Sequence, residues 1–253
     1  MQNRYGKLAS WIYHLDKPIG HSFGDLEYYR QRLTGCDGPI LEPAVGNGRI
    51  FIPMLEMGLA IEGFDASQDM LEYCRQECLS RGLPTTLTCQ TFEQFSYDRR
   101  FAAIILPAGS FQLITETTSA RAVLKRFWDY LLPGGRLIVD IDPIESIVGE
   151  TSSARSWAVG NGDLLTMTGH RAEIDYVKQT TLSHLHYQHW RDGALLSAEL
   201  DLFHLRWWGV EELAFALREA GFVDVVVSGD YQHGRQPRKG DQIISFEASR
   251  PGR

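Results

Sequence analysis

Four cysteines in 253 residues, Cys36, Cys74, Cys78 and Cys89, are too few and too irregularly spaced for a disulfide framework. Cys74 and Cys78 fall four apart on an expected helix and share a face. That is neither a redox-pair spacing nor a zinc knuckle, so they read as reduced, small apolar packing groups. No run of about eighteen apolar residues occurs, which argues against a membrane span. Residues 1–7 lack the apolar core of a signal peptide, so a cytoplasmic chain is expected. No block of like charge stands out: the formal net charge is −7 and the basic residues are scattered. A surface that tracks phosphates carries a basic stripe, so nucleic acid is not expected as a partner. Repeats and low-complexity segments are also absent.

What is present is a chain 43% hydrophobic, enough for one α/β domain with a sizeable core and an insertion. Residues 1–36 read as a short helical cover. In it Trp11, Ile12 and Leu15 share a helix face, and 25–33 forms a second helix stopped by Gly35. Short apolar strands are expected at 40–42, 60–64, 85–89, 101–106 and 136–141, as for strands buried on both faces. Helical patterns lie between them at 68–79, with Ser67 as N-cap, and at 120–132, stopped by Pro133-Gly134-Gly135. Pro53 removes a helix donor soon after a glycine turn, so that helix should start late or kink. Strand and helix alternating this way predict a doubly wound, mostly parallel sheet with helices on both faces.

At about 155–207 the pattern becomes antiparallel. A hairpin is expected over 156–168, then two long strands, 176–190 and 195–208, joined by the strong turn signal Asp192-Gly193. A helix at 210–220 and strands at 223–228 and 242–248 complete seven strands in the main sheet. The expected division is therefore 1–36 as cover and 37–250 as one domain with an inserted β subdomain. The exposed insertion sheet offers a surface for pairing as a homodimer.

The chemistry starts at Glu42, where a buried strand ends in an acid and runs into the turn Ala44-Val45-Gly46-Asn47-Gly48. The next strand ends in Asp65. A glycine turn lets a ligand lie against bare backbone, and the two acids can grip its polar groups. A dinucleotide site wants a third glycine for close helix–strand packing, and Phe51 stands there, which argues against a nicotinamide cofactor. A nicotinamide-dependent oxidoreductase and a non-catalytic nucleoside-binding module remain the alternatives.

Glu42-x-Ala44-x-Gly46-x-Gly48, then Asp65, then Leu132-Pro133-Gly134-Gly135 before the fifth strand, resemble the class I S-adenosylmethionine-dependent methyltransferases. The order of elements agrees over about residues 36–250. The resemblance implies a Rossmann-like fold, S-adenosyl-L-methionine as cofactor, and a small-molecule acceptor methylated on nitrogen or oxygen. It further implies that Ala44, Gly46, Asn47 and Gly48 approach the methionine part and that Glu42 faces its amino group. Asp65 would accept from both ribose hydroxyls. Ala66 and Met70 would pack on the adenine, with Thr91 and Phe92 at its edge and Leu106 at the fourth strand end.

Two departures are visible. Ala44 replaces the first glycine of the usual motif. The acid that usually follows the third strand is missing, leaving Gln90, Thr91 or backbone to meet the adenine amino group. The Asn- or Asp-Pro-Pro-aromatic motif of relatives that methylate DNA bases or protein glutamine is absent after the fourth strand. Ser110 and Phe111 stand there and should line the meeting place of cofactor and acceptor, joined by Arg206 from the insertion and Tyr13 from the cover. A hydroxyl acceptor would need a base, for which His14 and His204 are candidates. With a two-residue turn at 192–193, His184 would oppose Asp201 and His186 would oppose Glu199. The reading adopted for these pairs is a polar outer sheet face stabilised by cross-strand contacts, with no metal. Leu185, Tyr187, Leu200 and Leu202 would form the buried face. A one-residue bulge would spoil this pairing.

Overall fold

The computed structural model describes residues 5–149 and 152–252, and every structural statement below concerns these. Residues 1–4 of the expected cover lie outside them. The main sheet contains β1 (Ile40–Pro43), β2 (Ile61–Asp65), β3 (Leu87–Cys89), β4 (Phe101–Leu106) and β5 (Leu131–Ile141), then β10 (Val223–Gly229) and β11 (Ile244–Ser249) after an insertion. Its order is β10-β11-β5-β4-β1-β2-β3. The strands β1 to β5 pair in parallel, whereas β11 runs antiparallel to both β5 and β10.

Alternation along β4 shows why these strands are apolar throughout. Ile104 and Leu106 enter one core with Leu41, Phe64, Leu137 and Val139, under α5 (Thr117–Tyr130) and α7 (Val210–Glu219). Ala103 and Ile105 enter the other with Ile40, Ile61 and Ile138. That second core lies under α2 (Asp25–Leu33), α3 (Phe51–Glu56) and α4 (Gln68–Ser80). Both sheet faces are therefore covered, as a parallel sheet requires.

Local choices follow the sequence closely. The Ser67 hydroxyl accepts from Met70 N–H and caps α4. The helix after the glycine turn is only six residues long, and Pro53 sits in its first turn, where a missing donor costs little. The third strand is shorter than expected and begins at Leu87, while β5 begins earlier, at Leu131, with a register shift around the Pro-Gly-Gly segment.

The insertion forms a separate antiparallel sheet of β6 (Ser152–Gly160), β7 (Asp163–Asp175), β8 (Thr180–Arg191) and β9 (Ala194–Arg206). The expected strand 176–190 starts late, because 176–179 form the turn between β7 and β8. Helix α1 (Lys7–Asp16) packs on this sheet: Leu8, Ala9 and Ile12 meet Leu165 and Tyr187. Helix α2, by contrast, sits on the main sheet through Tyr29 and Leu33.

The β8–β9 register overturns one expectation. Arg191 opposes Ala194 and Trp190 opposes Leu195, as a two-residue turn dictates, but His189 then opposes Ser197. Leu196 is the extra residue of a β-bulge, and beyond it the alternation is inverted. His184 faces Leu202 and His186 faces Leu200, not Asp201 and Glu199. Leu200, expected inside, is 55% exposed. The two acids sit on the α1 side instead, Asp201 opposite Leu185 and Glu199 opposite Tyr187.

Candidate active site

A cleft of about 260 Å³ opens at the C-terminal ends of β1, β2 and β4, where open α/β sheets place their ligands. Its floor is the turn after β1. Gly46 has φ +58°, and a Cβ there would meet no atom within 4 Å, so the turn presents bare backbone to the cleft. Ala44 holds the same left-handed conformation at φ +54° and also lines the cleft. Gly48 lies off it: a Cβ at 48 would stand 2.6 Å from Cys74 Sγ, so this glycine lets the turn pack on α4. Asn47 is buried and ties the turn to the N-terminal segment, donating from Nδ2 to Lys17 O at 2.9 Å and accepting from Arg49 N–H at 3.2 Å.

Two carboxylates flank this turn. Asp65 lines the cleft, with Oδ2 accepting from Gly46 N–H at 2.9 Å and Oδ1 from Ser67 N–H at 2.8 Å. Burial pushes its pKa up, and these backbone donors pull it back. Each oxygen keeps acceptor capacity for a further donor. Glu42 does not itself line the cleft: it is 3% exposed, and its Oε2 has no hydrogen-bond partner. Burial raises its pKa well above the usual carboxylate range against the pull of Arg49. Arg49 does not neutralise it directly, because both its terminal nitrogens are engaged with Asp25. A buried acceptor without a donor is costly, and an ammonium group on a ligand would satisfy it.

Aromatic residues cover the other side. Tyr13 lines the cleft, and the Tyr5 ring stands edge-on to Tyr13 at 5.8 Å and to Phe203 of β9 at 6.4 Å. Tyr5 O accepts from the Ser67 hydroxyl at 2.7 Å, so the cap of α4 also fastens the N-terminal segment over the cleft. Toward β3 the lining is Ala66, Met70, Thr91, Phe92 and Glu93. Gln90 lines the cleft too, but its amide is engaged within its own loop, to the Thr88 hydroxyl and Ser96 N–H.

The remaining expected residues divide between the cleft and other places. Ser110 lines the cleft and donates to Pro107 O. Leu106 and Phe111 are fully buried core residues, the latter packed on Trp208. His14 stacks on Tyr73 at 4.6 Å, and burial lowers its pKa against the influence of Glu77. His204 and Arg206 line a second cavity of about 600 Å³ beside Glu116, Glu173 and Glu212. There Arg206 is held by Glu212 at 2.8 Å and Lys178 O at 2.7 Å. The bulge explains this: Phe203 and Leu205 take the cleft face of β9, and His204 and Arg206 alternate away. Tyr5, Lys17, Asp142 and Phe203 were not anticipated. Asp142 had a readable signal, because it directly follows the end of a parallel strand.

Comparison with known proteins agrees with this geometry. Residues 40–135 match the family model described as "Methyltransferase domain". The putative methyltransferase YqeM of Bacillus subtilis (strain 168) is 28% identical over 105 residues, 41% of this chain; the match spans only 42% of that relative. Glycine/sarcosine N-methyltransferase of Aphanothece halophytica is 26% identical over 195 residues, covering 76% of this chain and 69% of that protein. Among solved structures, an S-adenosylmethionine-dependent methyltransferase from Clostridium acetobutylicum ATCC 824 superposes with a TM-score of 0.77 at 17% identity, covering 96% of this chain and 98% of the other.

Proposed function

We propose that this chain, whose residues 40–135 match a methyltransferase domain and whose fold is that of an S-adenosylmethionine-dependent methyltransferase, is an enzyme that methylates a nitrogen of a small molecule. The observation that carries this is the partnerless buried Glu42 oxygen preceding the open Gly46 turn, with Asp65 at its side. Glu42 would receive the ammonium group of S-adenosylmethionine and Asp65 its ribose hydroxyls. Ala66, Met70, Thr91 and Phe92 would enclose the adenine, with Glu93 on the same wall. When bound, that cofactor supplies an electrophilic methyl group and its own leaving group. The protein has to align the acceptor and keep water out, which Tyr5, Tyr13 and Phe203 do from above. A ring face turned to the sulfonium would favour its positive charge.

Nitrogen is preferred over oxygen because, among the described residues, the cleft is lined by carboxylates and no histidine, and a carboxylate is too weak a base to activate an alcohol. A neutral amine needs no base, whereas an alcohol does. The N-methyltransferase name of one relative agrees. Calorimetric titration with S-adenosylhomocysteine, the demethylated product, tests the donor site. One-to-one binding is expected, and Asp65→Ala should weaken it at least about tenfold, since two charge-assisted hydrogen bonds of roughly 1.5–3 kcal/mol each are lost. Unchanged affinity would remove Asp65 from the site. Binding of a nicotinamide dinucleotide instead would favour the oxidoreductase alternative.

A further inference from the structure

Asp142 has no part in the donor site as described, yet the fold invests in it. It follows β5 directly and lines the cleft beside the loop that closes β4. Gln112, fully buried, spends both ends of its amide on this one residue: it accepts from Asp142 N–H at 2.8 Å and donates to Asp142 O at 3.2 Å. Such a clamp fixes the direction in which the side chain leaves the backbone. The carboxylate then lies against Gly109, where a Cβ would stand 2.9 Å from Asp142 Oδ2. Glycine, at φ +70°, leaves room that any other residue would fill.

Lys17 brings the opposite charge into the same cleft, leaving α1 with its ammonium 4.9 Å from the Tyr13 ring centroid. It is the one charged group that pulls the Asp142 carboxyl down while burial pushes it up. Among the described residues, however, neither side chain closes an ion pair, and the Asp142 carboxylate accepts no hydrogen bond. Two opposite, partly desolvated charges that leave each other unsatisfied favour a ligand carrying the complementary pair.

Resting on the methyl-transfer reading above, we propose that Asp142 and Lys17 form the acceptor subsite and that the acceptor is a small amino acid. Asp142 receives its ammonium group, which gives up one proton to solvent before the freed nitrogen lone pair attacks, and Lys17 receives its carboxylate. The subsite explains why a buried glutamine is committed to the backbone of residue 142, and why glycine stands at 109.

The test uses the full chain saturated with S-adenosylhomocysteine and titrated by NMR with three probes: glycine, methylamine and acetate. Glycine should bind about tenfold or more tightly than either single-charge probe. Asp142→Asn should cost glycine about tenfold and leave acetate unchanged; Lys17→Met should cost glycine similarly and leave methylamine unchanged. Both variants should bind S-adenosylhomocysteine within about twofold of the parent, which also reports that they fold. Glycine binding no better than methylamine and acetate overturns the subsite while the donor reading stands. Equal losses for glycine and S-adenosylhomocysteine in the variants also overturn it, because the pair would then belong to the donor half. If the parent chain fails to bind S-adenosylhomocysteine at all, the methyl-transfer reading falls and the subsite falls with it.

Discussion

The seven-stranded sheet is covered on both faces, and the groups it offers to the cleft sit at its strand ends: the Gly46 backbone and Asp65. The four-stranded sheet has α1 on one face, exposed Leu195, Leu196 and Leu200 along its edge strand, and a core of five buried residues shared with α1. Two polar contacts add to its hold on α1. Helix α1 begins at Gly6, which has no side chain to cap it, and Glu199 of β9 does so from across the interface, accepting from Leu8 N–H at 2.9 Å. Asp16, at the other end of α1, pairs with Arg155 of β6. The expectation is that the main sheet, with the Gly46 turn and Asp65, opens last and the insertion sheet first.

That contrast can be broken by substitution. The largest effect is expected in the main sheet from Gly48→Val. It combines a left-handed backbone, φ +90°, with an overlap on Cys74 Sγ. The cost should be about 2–5 kcal/mol, a fall in thermal midpoint on the order of 10 °C, in one transition. A separate early melting of the insertion alone would contradict the assignment of Gly48 to the global core.

An intermediate, pH-graded effect is expected at Asp140, buried in the middle of the main sheet. Its carboxylate accepts from the Ser245 and Tyr231 hydroxyls and Ala108 N–H. Burial nevertheless pushes its pKa up to about 7. A carboxyl whose pKa is higher in the folded chain than in the unfolded one favours folding while protonated. This contribution is complete below about pH 4 and is lost as pH climbs through about 7. Denaturant titrations of Asp140→Asn across that window should show a smaller fall in stability with rising pH than the parent. Parallel curves would mean that Asp140 is ionised throughout.

The smallest effect sharpens the comparison most. Glu199→Gln should cost about 1 kcal/mol by weakening the cap of α1. Hydrogen exchange should quicken at the Leu8 and Ala9 amides while the β4 and β5 amides keep their protection. Equal acceleration in both sheets would make the two regions one cooperative unit.

The same division governs what could be read in advance. The main sheet was legible because its signals are local: apolar runs at 101–106, the Ser67 cap, glycines where the backbone turns. Asp65 and Glu42 stand at strand ends, and strand ends are visible in sequence. On the other side, residue type points His204 and Arg206 to the site, and alternation sends them to a second cavity. Phe203 and Leu205 take their place. Nothing in the residues 192–197 announces that Leu196 is left over, because a bulge is decided by how the whole strand packs. Lys17 and Asp142 are far apart in sequence and meet only through the fold.

Leu196 carries a consequence beyond its own position. Strand β9 holds two interleaved lists of side chains, 199, 201, 203 and 205 in one, and 200, 202, 204 and 206 in the other. The extra residue acts as a shift of reading frame that selects which list faces the cleft. A descendant chain that absorbed this residue into the ladder would exchange an aromatic, apolar wall for one bearing His204 and Arg206, with no residue of that wall mutated. One corner of the insertion is thus a place where the lining of the cleft can be rewritten by changing length rather than identity.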